Sequence, residues 1–327
     1  MDPVSHVLFG GTIAAAMRPP RRAGLTAALV LGSILPDIDA ALVSRGFDVY
    51  LRAHQSGTHS LAGGLVEAAL LAAVLRAVVP GSRFRVLCLA ALAGVMGHIG
   101  WDLADGSDIA LLAPLSGRVF GWHLVSMAEP AVLAPMLVAA GVIWRWPTRA
   151  RAAAAAALLA LTAVLAAKGL SQARARRVYG ELVDRGAPAN AVATIPSWGR
   201  LFGWTIDDRT GDRVRSWQVD VRRHTLTLRF ARVDAPPSAV VLASHELPVV
   251  RTFLARTGIP FVRTERDAEG RQLVLWSDVR TCSARACDLA FGGAFDDAAT
   301  PLYEVIQIGG FRQVRPVPAA RSSGHTP

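Results

Sequence analysis

The chain carries few charged residues for its length. Only 18% of its 327 residues are Asp, Glu, Lys or Arg, whereas 52% are hydrophobic, and the mean hydropathy is +0.35. The apolar residues crowd into roughly the first 170 positions, and charges are interleaved through the rest. This pattern excludes a uniformly soluble protein. We expect a membrane-embedded N-terminal half followed by a water-facing C-terminal domain.

Cysteine is scarce, with three residues in the chain. Cys88 lies within an apolar run, where we expect it to pack inertly. Cys282 and Cys287 lie close together in CSARAC, and two interpretations remain open: a small disulfide loop in an oxidising compartment, or two free thiols. The N-terminus, MDPVSHVLFGGTIAAAM, lacks the basic start of a signal peptide, so we expect it to be retained.

Acidic residues are also in short supply, with 25 against 35 basic residues and a net charge of +10. Such an excess can indicate nucleic-acid binding. Here, however, the arginines form short clusters between apolar runs, as in the cytoplasmic loops of membrane proteins. We therefore expect membrane lipids, and not nucleic acid, as partners. The clusters are Arg18, Arg21 and Arg22; Arg83 and Arg85; and Arg145, Arg149 and Arg151.

Long apolar runs are plentiful in the first half. Each is near the length of about 20 residues that a helix needs to cross a bilayer, and backbone polar groups there must be satisfied within the segment. The sequence therefore predicts an α-helical polytopic membrane domain of about five or six transmembrane helices over residues 1–170. The runs are Gly24–Val43, Leu61–Val79, Val86–Leu103, Met127–Trp144 and Ala152–Leu170, with the shorter Val4–Met17 as a sixth candidate.

The arginines also predict an orientation. If all six segments span, the three clusters fall on one face, against three arginines in the short loops of the other face. The basic excess marks the first face as cytoplasmic. We therefore expect a multi-pass protein of the bacterial inner membrane with its C-terminal domain on the periplasmic face.

The C-terminal part predicts a small α+β soluble domain over residues 171–315. WQVDV and TLTLRFARV alternate apolar and polar residues as half-buried strands do, and AVVLAS and QLVLWSDV are also typical of strands. Asp267–Gly270 predicts a hairpin turn, and LPVVRTFLART predicts a short helix. Residues 316–327, rich in Pro, Ser and Ala, predict a disordered tail.

Histidines and carboxylates collect at the ends of the apolar runs. With alternating spans, all of them fall at one membrane face, whichever face is the periplasm. Ionisable groups in membrane segments are costly and usually mark function, and His with Asp suits zinc, manganese or iron. We therefore predict one shallow site for a divalent metal, with zinc as the first choice. The residues are His6, Asp37, Asp39, His54, His59, His98, Asp102, His123 and Glu129.

Shorter motifs leave alternatives open. His98 and Asp102 are four residues apart, so on a helix they share a face. They can ligate one ion or form a hydrogen-bonded pair that packs a helix end. Glu67 and Arg76 lie deeper in one run, where interhelical pairing is the favoured interpretation.

A pair of histidines in HQSGTHS precedes the apolar run Leu61–Val79. His54 and His59 do not share a helical face, and they fit a loop that leads into a helix capped by Thr58 or Ser60. A plain solvated loop is the alternative interpretation.

The ordered motifs MDPVSH, LPDID, HQSGTHS, GHIGWD and LAP (Leu112–Pro114) resemble those of a known family. It is the family of bacterial membrane-bound metal-dependent hydrolases, also described as LexA-binding, inner membrane-associated hydrolases or YdjM-like proteins. The resemblance covers approximately residues 1–170, and WSDVR (Trp276–Arg280) is similar to a stretch in the soluble tail of some members. It implies a core polar set, namely His6, Asp37, Asp39, His54, His59, His98 and Asp102.

The order of these residues is also distantly similar to that of zinc-dependent phospholipase C, a multi-metal phosphodiesterase. This chain departs from the family pattern at three positions. It has Gln55, Gly97 and Asp105 where members usually carry Arg, Ser, and Thr or Asn. These departures bear on fine specificity and are compatible with the predicted metal site.

Two functions remain as hypotheses. The first is a metal-dependent hydrolase at the membrane surface, in which metal-activated water attacks a phosphoester or lipid-linked substrate and Asp37 or Asp39 bridges metals or acts as a general base. The second is a non-enzymatic membrane scaffold or partner-binding protein whose polar cluster is structural. The predicted metal ligands are His6, Asp37, His54, His59, His98 and Asp102.

Overall fold

The computed structural model describes residues 2–17, 23–183 and 191–317. Most of the predicted tail lies outside the described residues, as do Arg18, Arg21 and Arg22. The chain divides into two compact units. The first comprises Met1–Glu181, Thr194–Trp204 and Val219–Thr225, and the second comprises Leu182–Ala193, Thr205–Gln218 and Leu226–Pro327.

Helices build the N-terminal region. The helix α5 packs against both α2 and α4, and α1 packs against α2. The described helices are α1 (Pro3–Met17), α2 (Ala23–Gly32), α3 (Phe47–Ala53), α4 (Leu61–Val78), α5 (Phe84–Ala104), α6 (Pro130–Arg145) and α7 (Ala150–Leu182), with 3-10 segments at Leu35–Arg45 and Pro147–Arg149.

Three helical stretches in the described part of the chain are long and apolar enough to cross a membrane: Leu61–Val78, Phe84–Ala104 and Pro147–Leu182. A fourth is obtained if α2 and the 3-10 segment after it, bent by 47°, form one broken span. The described residues thus give three or four candidate spans by length and composition, against the expected five or six. The helices α1 and α6 have 15 and 16 residues, which is short of the roughly 20 that a span requires.

The surface of α4 is typical of a helix that faces lipid. Leu65, Leu70 and Val74 are more than half exposed, whereas Ala68 and Ala72 are fully buried. Large apolar side chains therefore point outward, and small ones allow the neighbouring helices to approach.

Glycine determines how closely α2 and α5 pack. A Cβ atom at Gly32 would collide with the carbonyl oxygen of Ala91, and a Cβ atom at Gly94 would collide with the carbonyl oxygen of Leu29. The close crossing places the end of α2 and the 3-10 segment after it beside the C-terminal half of α5. These are the elements that carry Asp37 and His98.

Two sheets dominate the C-terminal region. The first has the strand order β1-β2-β3-β4, and the second is antiparallel with the order β5-β6-β7-β8-β9. Two short helices, α8 (Ala239–Ser244) and α9 (Pro248–Leu254), lie between the sheets in sequence. The strands are β1 (Ala191–Pro196), β2 (Gly203–Thr210), β3 (Arg213–Asp220), β4 (Thr225–Val233), β5 (Pro260–Arg266), β6 (Gln272–Asp278), β7 (Leu289–Phe295), β8 (Pro301–Ile308) and β9 (Phe311–Pro316).

The predicted α+β class of the soluble domain is therefore wrong, because two sheets build it and its helices are six and seven residues long. AVVLAS, predicted as a strand, forms α8. A short apolar run has no period that separates strand from helix, and Ser238 decides the outcome by accepting a hydrogen bond from the Val241 amide. The strands predicted from WQVDV, TLTLRFARV and QLVLWSDV, the turn at Asp267–Gly270 and the helix α9 are confirmed.

The two cysteines of CSARAC are joined. Cys282 and Cys287 form a disulfide across an isolated antiparallel bridge, so the disulfide interpretation holds in the structure. Cys88 is a free thiol, partly buried against the core formed by α1, α2, α4 and α5.

Candidate metal centre

Four of the predicted ligands meet at one end of α4 and α5. His98 and Asp102 lie one turn apart near the end of α5, Asp37 lies in the 3-10 segment after α2, and His59 lies just before α4. One atom from each of the four falls within 4.8 Å of all the others. The cap of α4 is Ser60, whose hydroxyl accepts a hydrogen bond from the Gly63 amide, and this fixes the helix start beside His59.

The distances among these atoms test whether the site fits a metal. The Nε2 atoms of His59 and His98 lie 3.2 Å apart, and each lies 3.3 Å from Oδ2 of Asp102 and 3.5 Å from Oδ1 of Asp37. In a tetrahedral zinc site with bonds of about 2.0–2.1 Å, neighbouring ligand atoms lie about 3.3–3.4 Å apart. The residues therefore fit a tetrahedral divalent ion with two imidazole and two carboxylate ligands.

Hydrogen bonds outside this group fix the ring nitrogens. Nδ1 of His98 lies 2.9 Å from the Ser33 carbonyl oxygen and must donate to it, because a carbonyl can only accept. The Thr58 hydroxyl donates to Asp39 at 2.8 Å, so it is left to accept from Nδ1 of His59 at 3.0 Å. When neutral, both imidazoles thus direct the Nε2 lone pair into the centre, which is the tautomer that a metal requires.

A second group, which shares His59, contains Asp39 and His54. Oδ1 of Asp39 lies 2.8 Å from Nδ1 of His54, and Oδ2 lies 3.5 Å from Nδ1 of His59. Asp39 is nearly buried, with 4% of its side chain exposed. Its position suits a carboxylate that orients two imidazoles, and it also suits a ligand of a second ion.

His6 belongs to neither group, although it touches the first. Its Nε2 lies 3.2 Å from Oδ1 of Asp102, and its ring stacks on His98 with centroids 3.8 Å apart. Its role as a ligand stays a prediction. Its contacts are those of a residue that holds the side chains of Asp102 and His98 in position.

His123 and Glu129, the remaining candidates from the sequence, each pair with a residue outside the two groups. Nε2 of His123 is 3.2 Å from Asp108, and Glu129 is buried 3.6 Å from the ammonium of Lys168. Lys168 is itself fully buried in α7 and donates to the Arg200 carbonyl. The sequence analysis did not single out Lys168, although a lysine inside an apolar run is costly enough to be a signal.

Tyr50 is a neighbour of the site that sequence reasoning missed. Its ring stacks on His54 with centroids 4.5 Å apart. Burial, followed by the charges of Asp39 and Asp37, raises the pKa of Tyr50 to about 12, so its hydroxyl keeps its proton at neutral pH. No spacing rule would have found it, because its helix α3 is seven residues long and was not predicted.

The carboxylates of Asp37, Asp39 and Asp102 make a positive charge at the centre favourable. Burial alone would lower the pKa of His59, but Asp102, Asp37 and Asp39 outweigh burial and raise it to about 11. A proton on His59 therefore supplies positive charge when no metal is bound. A divalent ion would supply it instead and release that proton.

Comparison with known proteins identifies the family of this chain. Residues 1–175, which include every candidate ligand, match the family model of the YdjM inner membrane protein. The uncharacterized protein YfhP of Bacillus subtilis (strain 168) is 29% identical over 152 residues, and this match covers 44% of the chain and 46% of YfhP, which is less than half of that relative's length. No solved structure matches the chain. Since the family match covers more than half of the chain, this protein belongs to the YdjM inner membrane protein family.

Proposed function

We propose that the protein is a divalent-metal-dependent hydrolase that acts at the membrane surface on a phosphoester or lipid-linked substrate. The observation that carries the proposal is the group of Asp37, His59, His98 and Asp102, in which five distances between ligand atoms, 3.2–3.5 Å, match those of a tetrahedral metal site. Zinc is the ion that this ligand set favours, with manganese or iron as alternatives.

The residues divide into holding and reacting roles. His59, His98 and Asp102 are almost fully buried and would hold the ion, whereas 22% of the Asp37 side chain is exposed. Asp37 is therefore the ligand that water or substrate would replace on the ion, and it marks the side from which a substrate can approach. When bound, the ion would polarise the scissile ester and make water a stronger nucleophile near neutral pH.

A proton acceptor is required for hydrolysis, and the sequence analysis offered Asp37 and Asp39. Asp39 already accepts from Thr58 and pairs with His54, and it is the more buried of the two. Asp37 is therefore the better candidate for the base, and Asp39 for positioning the imidazoles.

A lipid-linked substrate is favoured by where the centre lies. His59 precedes the start of α4, and His98 and Asp102 lie in the last two turns of α5, so the ligands gather at one end of two candidate spanning helices. A substrate with its polar group at the membrane surface would meet the ligands there. The Cys282–Cys287 disulfide supports placing the C-terminal unit on the periplasmic face, because such bonds persist in oxidising compartments.

The test is hydrolysis by the detergent-purified protein of a panel of phosphomonoesters, phosphodiesters and lipid phosphates, with and without added zinc, manganese or iron. We expect metal-dependent turnover that is lost in the His59→Ala/Asp102→Ala double variant. Full activity in a metal-free preparation would contradict the proposal. A protein that binds metal yet hydrolyses nothing in the panel would favour the scaffold hypothesis.

A further inference from the structure

Glu67 is a carboxylate inside a candidate spanning helix that the roles above do not use. Both of its side-chain oxygens are buried, and neither has a hydrogen-bond partner among the described residues. The hydrogen-bonded pairing with another helix that the sequence predicted for Glu67 is not seen in the described part of the chain. Arg76 lies two and a half turns further along α4 and lines a separate cavity with Arg83 and Arg85.

The helix directs Glu67 toward the candidate metal centre. Gly64, one turn earlier, packs on Val95 and Met96 of α5, so this face of α4 meets the turn of α5 that leads to His98. Side chains in a helix lean toward its N-terminus, and His59 lies just before the N-terminus of α4. Glu67 accordingly interacts electrostatically with both histidines.

A positive charge near Glu67 would stabilise its carboxylate. A carboxylate that accepts no hydrogen bond in an apolar interior is costly unless a cation lies near it. A divalent ion held between the imidazoles of His59 and His98 would supply such a charge.

We propose that Glu67 is a further anionic group of the metal centre, a positioning residue that holds the divalent ion at His59 and His98 from the membrane-buried side. This inference rests on the proposed metal centre. It adds a fourth carboxylate to Asp37, Asp39 and Asp102. The added negative charge favours a divalent over a monovalent ion and strengthens its binding.

The test compares Glu67→Gln with the wild-type full chain in detergent. The change removes the charge and keeps the shape of the side chain. We expect the zinc dissociation constant, measured by competition with a chelator, to rise about tenfold or more, as for other groups that support a metal. The unfolding midpoint of the metal-free protein should rise at the same time, because a buried carboxylate without a partner is removed.

Asp207→Asn is the matched control. Asp207 is another buried carboxylate with an unpartnered oxygen, and it lies in the C-terminal unit. We expect this variant to raise the unfolding midpoint and leave the zinc affinity unchanged. Glu67→Asp keeps the charge and should retain an affinity between those of wild type and Glu67→Gln, and it serves as the second variant if Glu67→Gln does not fold.

Two results would overturn the proposal, and they differ. If both Glu67 variants, or Glu67→Asp where Glu67→Gln does not fold, bind zinc as tightly as wild type, Glu67 has no part in the centre although the centre exists. If the wild-type chain binds neither zinc, manganese nor iron, the metal centre itself fails and takes this inference with it.

Discussion

His59 connects the two groups of candidate ligands, because its two ring nitrogens face different partners. Nε2 faces Asp37, His98 and Asp102, whereas Nδ1 faces Thr58 and Asp39. A single side chain thus links the ligands of α5 to the residues that orient them. The fixed tautomer of His59 is the feature of this site most open to a test by one substitution.

Thr58→Val should weaken metal binding without unfolding the protein. The change removes the hydroxyl that accepts from Nδ1 of His59 and donates to Asp39. Loss of such an orienting group typically costs about 10- to 100-fold in metal affinity. Chelator competition measures the loss, and Thr162→Val, whose hydroxyl bonds to the Leu158 carbonyl in α7, is the control that should leave affinity unchanged.

Asp207 makes a prediction about pH. Burial raises the pKa of Asp207 to about 6, from 3.8 in the unfolded chain. The folded state therefore holds this proton more tightly, and the contribution of Asp207 to stability is lost as pH rises from about 4 through 6. Each pKa unit is worth about 1.4 kcal/mol, so Asp207→Asn should stabilise the protein by about 3 kcal/mol at pH 7 and much less at pH 4.

Unfolding of wild type and Asp207→Asn by denaturant, followed between pH 4 and 8, measures this difference. A stability difference that does not change with pH would show that Asp207 does not take up a proton on folding in this range.

The helices α4 and α5 place ligands at the same end because they run in opposite directions along the bundle. His59 comes before one helix starts, and His98 and Asp102 come before the other ends. The third element, the segment that carries Asp37, is held against α5 by the glycine crossing of α2. Helix packing therefore determines the geometry of the candidate centre.

Gly94→Ala should damage both packing and metal binding. The added methyl group would strike the Leu29 carbonyl and push α2 away from α5, which costs about 1–3 kcal/mol in a well-packed interior. Gly100→Ala is the control on the same helix, because nothing lies within 4 Å of its added Cβ atom. We expect a lower unfolding midpoint and weaker zinc binding for Gly94→Ala, and neither for Gly100→Ala. Equal behaviour of the two variants would contradict the role given to the crossing.

The helices and strands also show which features of the fold could be predicted from the sequence. The i, i+4 spacing of His98 and Asp102 was enough to place them on one helix face, and the alternating strands β3, β4 and β6 were equally readable. Apolar run length did not give the bounds of the helices, because the run Gly24–Val43 is divided between α2 and a 3-10 segment bent from it by 47°. The positions of Tyr50 and Glu67 beside the candidate site depend on how the helices pack, and sequence periodicity does not predict that packing.

Across the whole molecule, the chain joins a helical unit of the YdjM family to a C-terminal unit with a disulfide. Inner-membrane character follows from the family and the apolar helices, and the periplasmic placement of the C-terminal unit stays a prediction. The family match ends at residue 175, so it says nothing of the two sheets.

The disulfide allows that placement to be tested in cells. Of the three cysteines, Cys88 is free and the other two are paired. If the C-terminal unit faces the periplasm, a thiol-reactive polymer added to denatured, unreduced protein should modify one cysteine per chain. After reduction it should modify all three. Three modified cysteines before reduction would place the unit in a reducing compartment.

The central claim is that Asp37, His59, His98 and Asp102 bind a divalent metal. The most direct measurement is elemental mass spectrometry of the detergent-purified full chain beside the His59→Ala/Asp102→Ala double variant. We predict about one or more zinc, manganese or iron ions per wild-type chain, and none in a variant whose helical circular dichroism is retained. Absence of metal from wild type, even after reconstitution with each ion, would contradict the claim and make these residues polar groups that hold helices together.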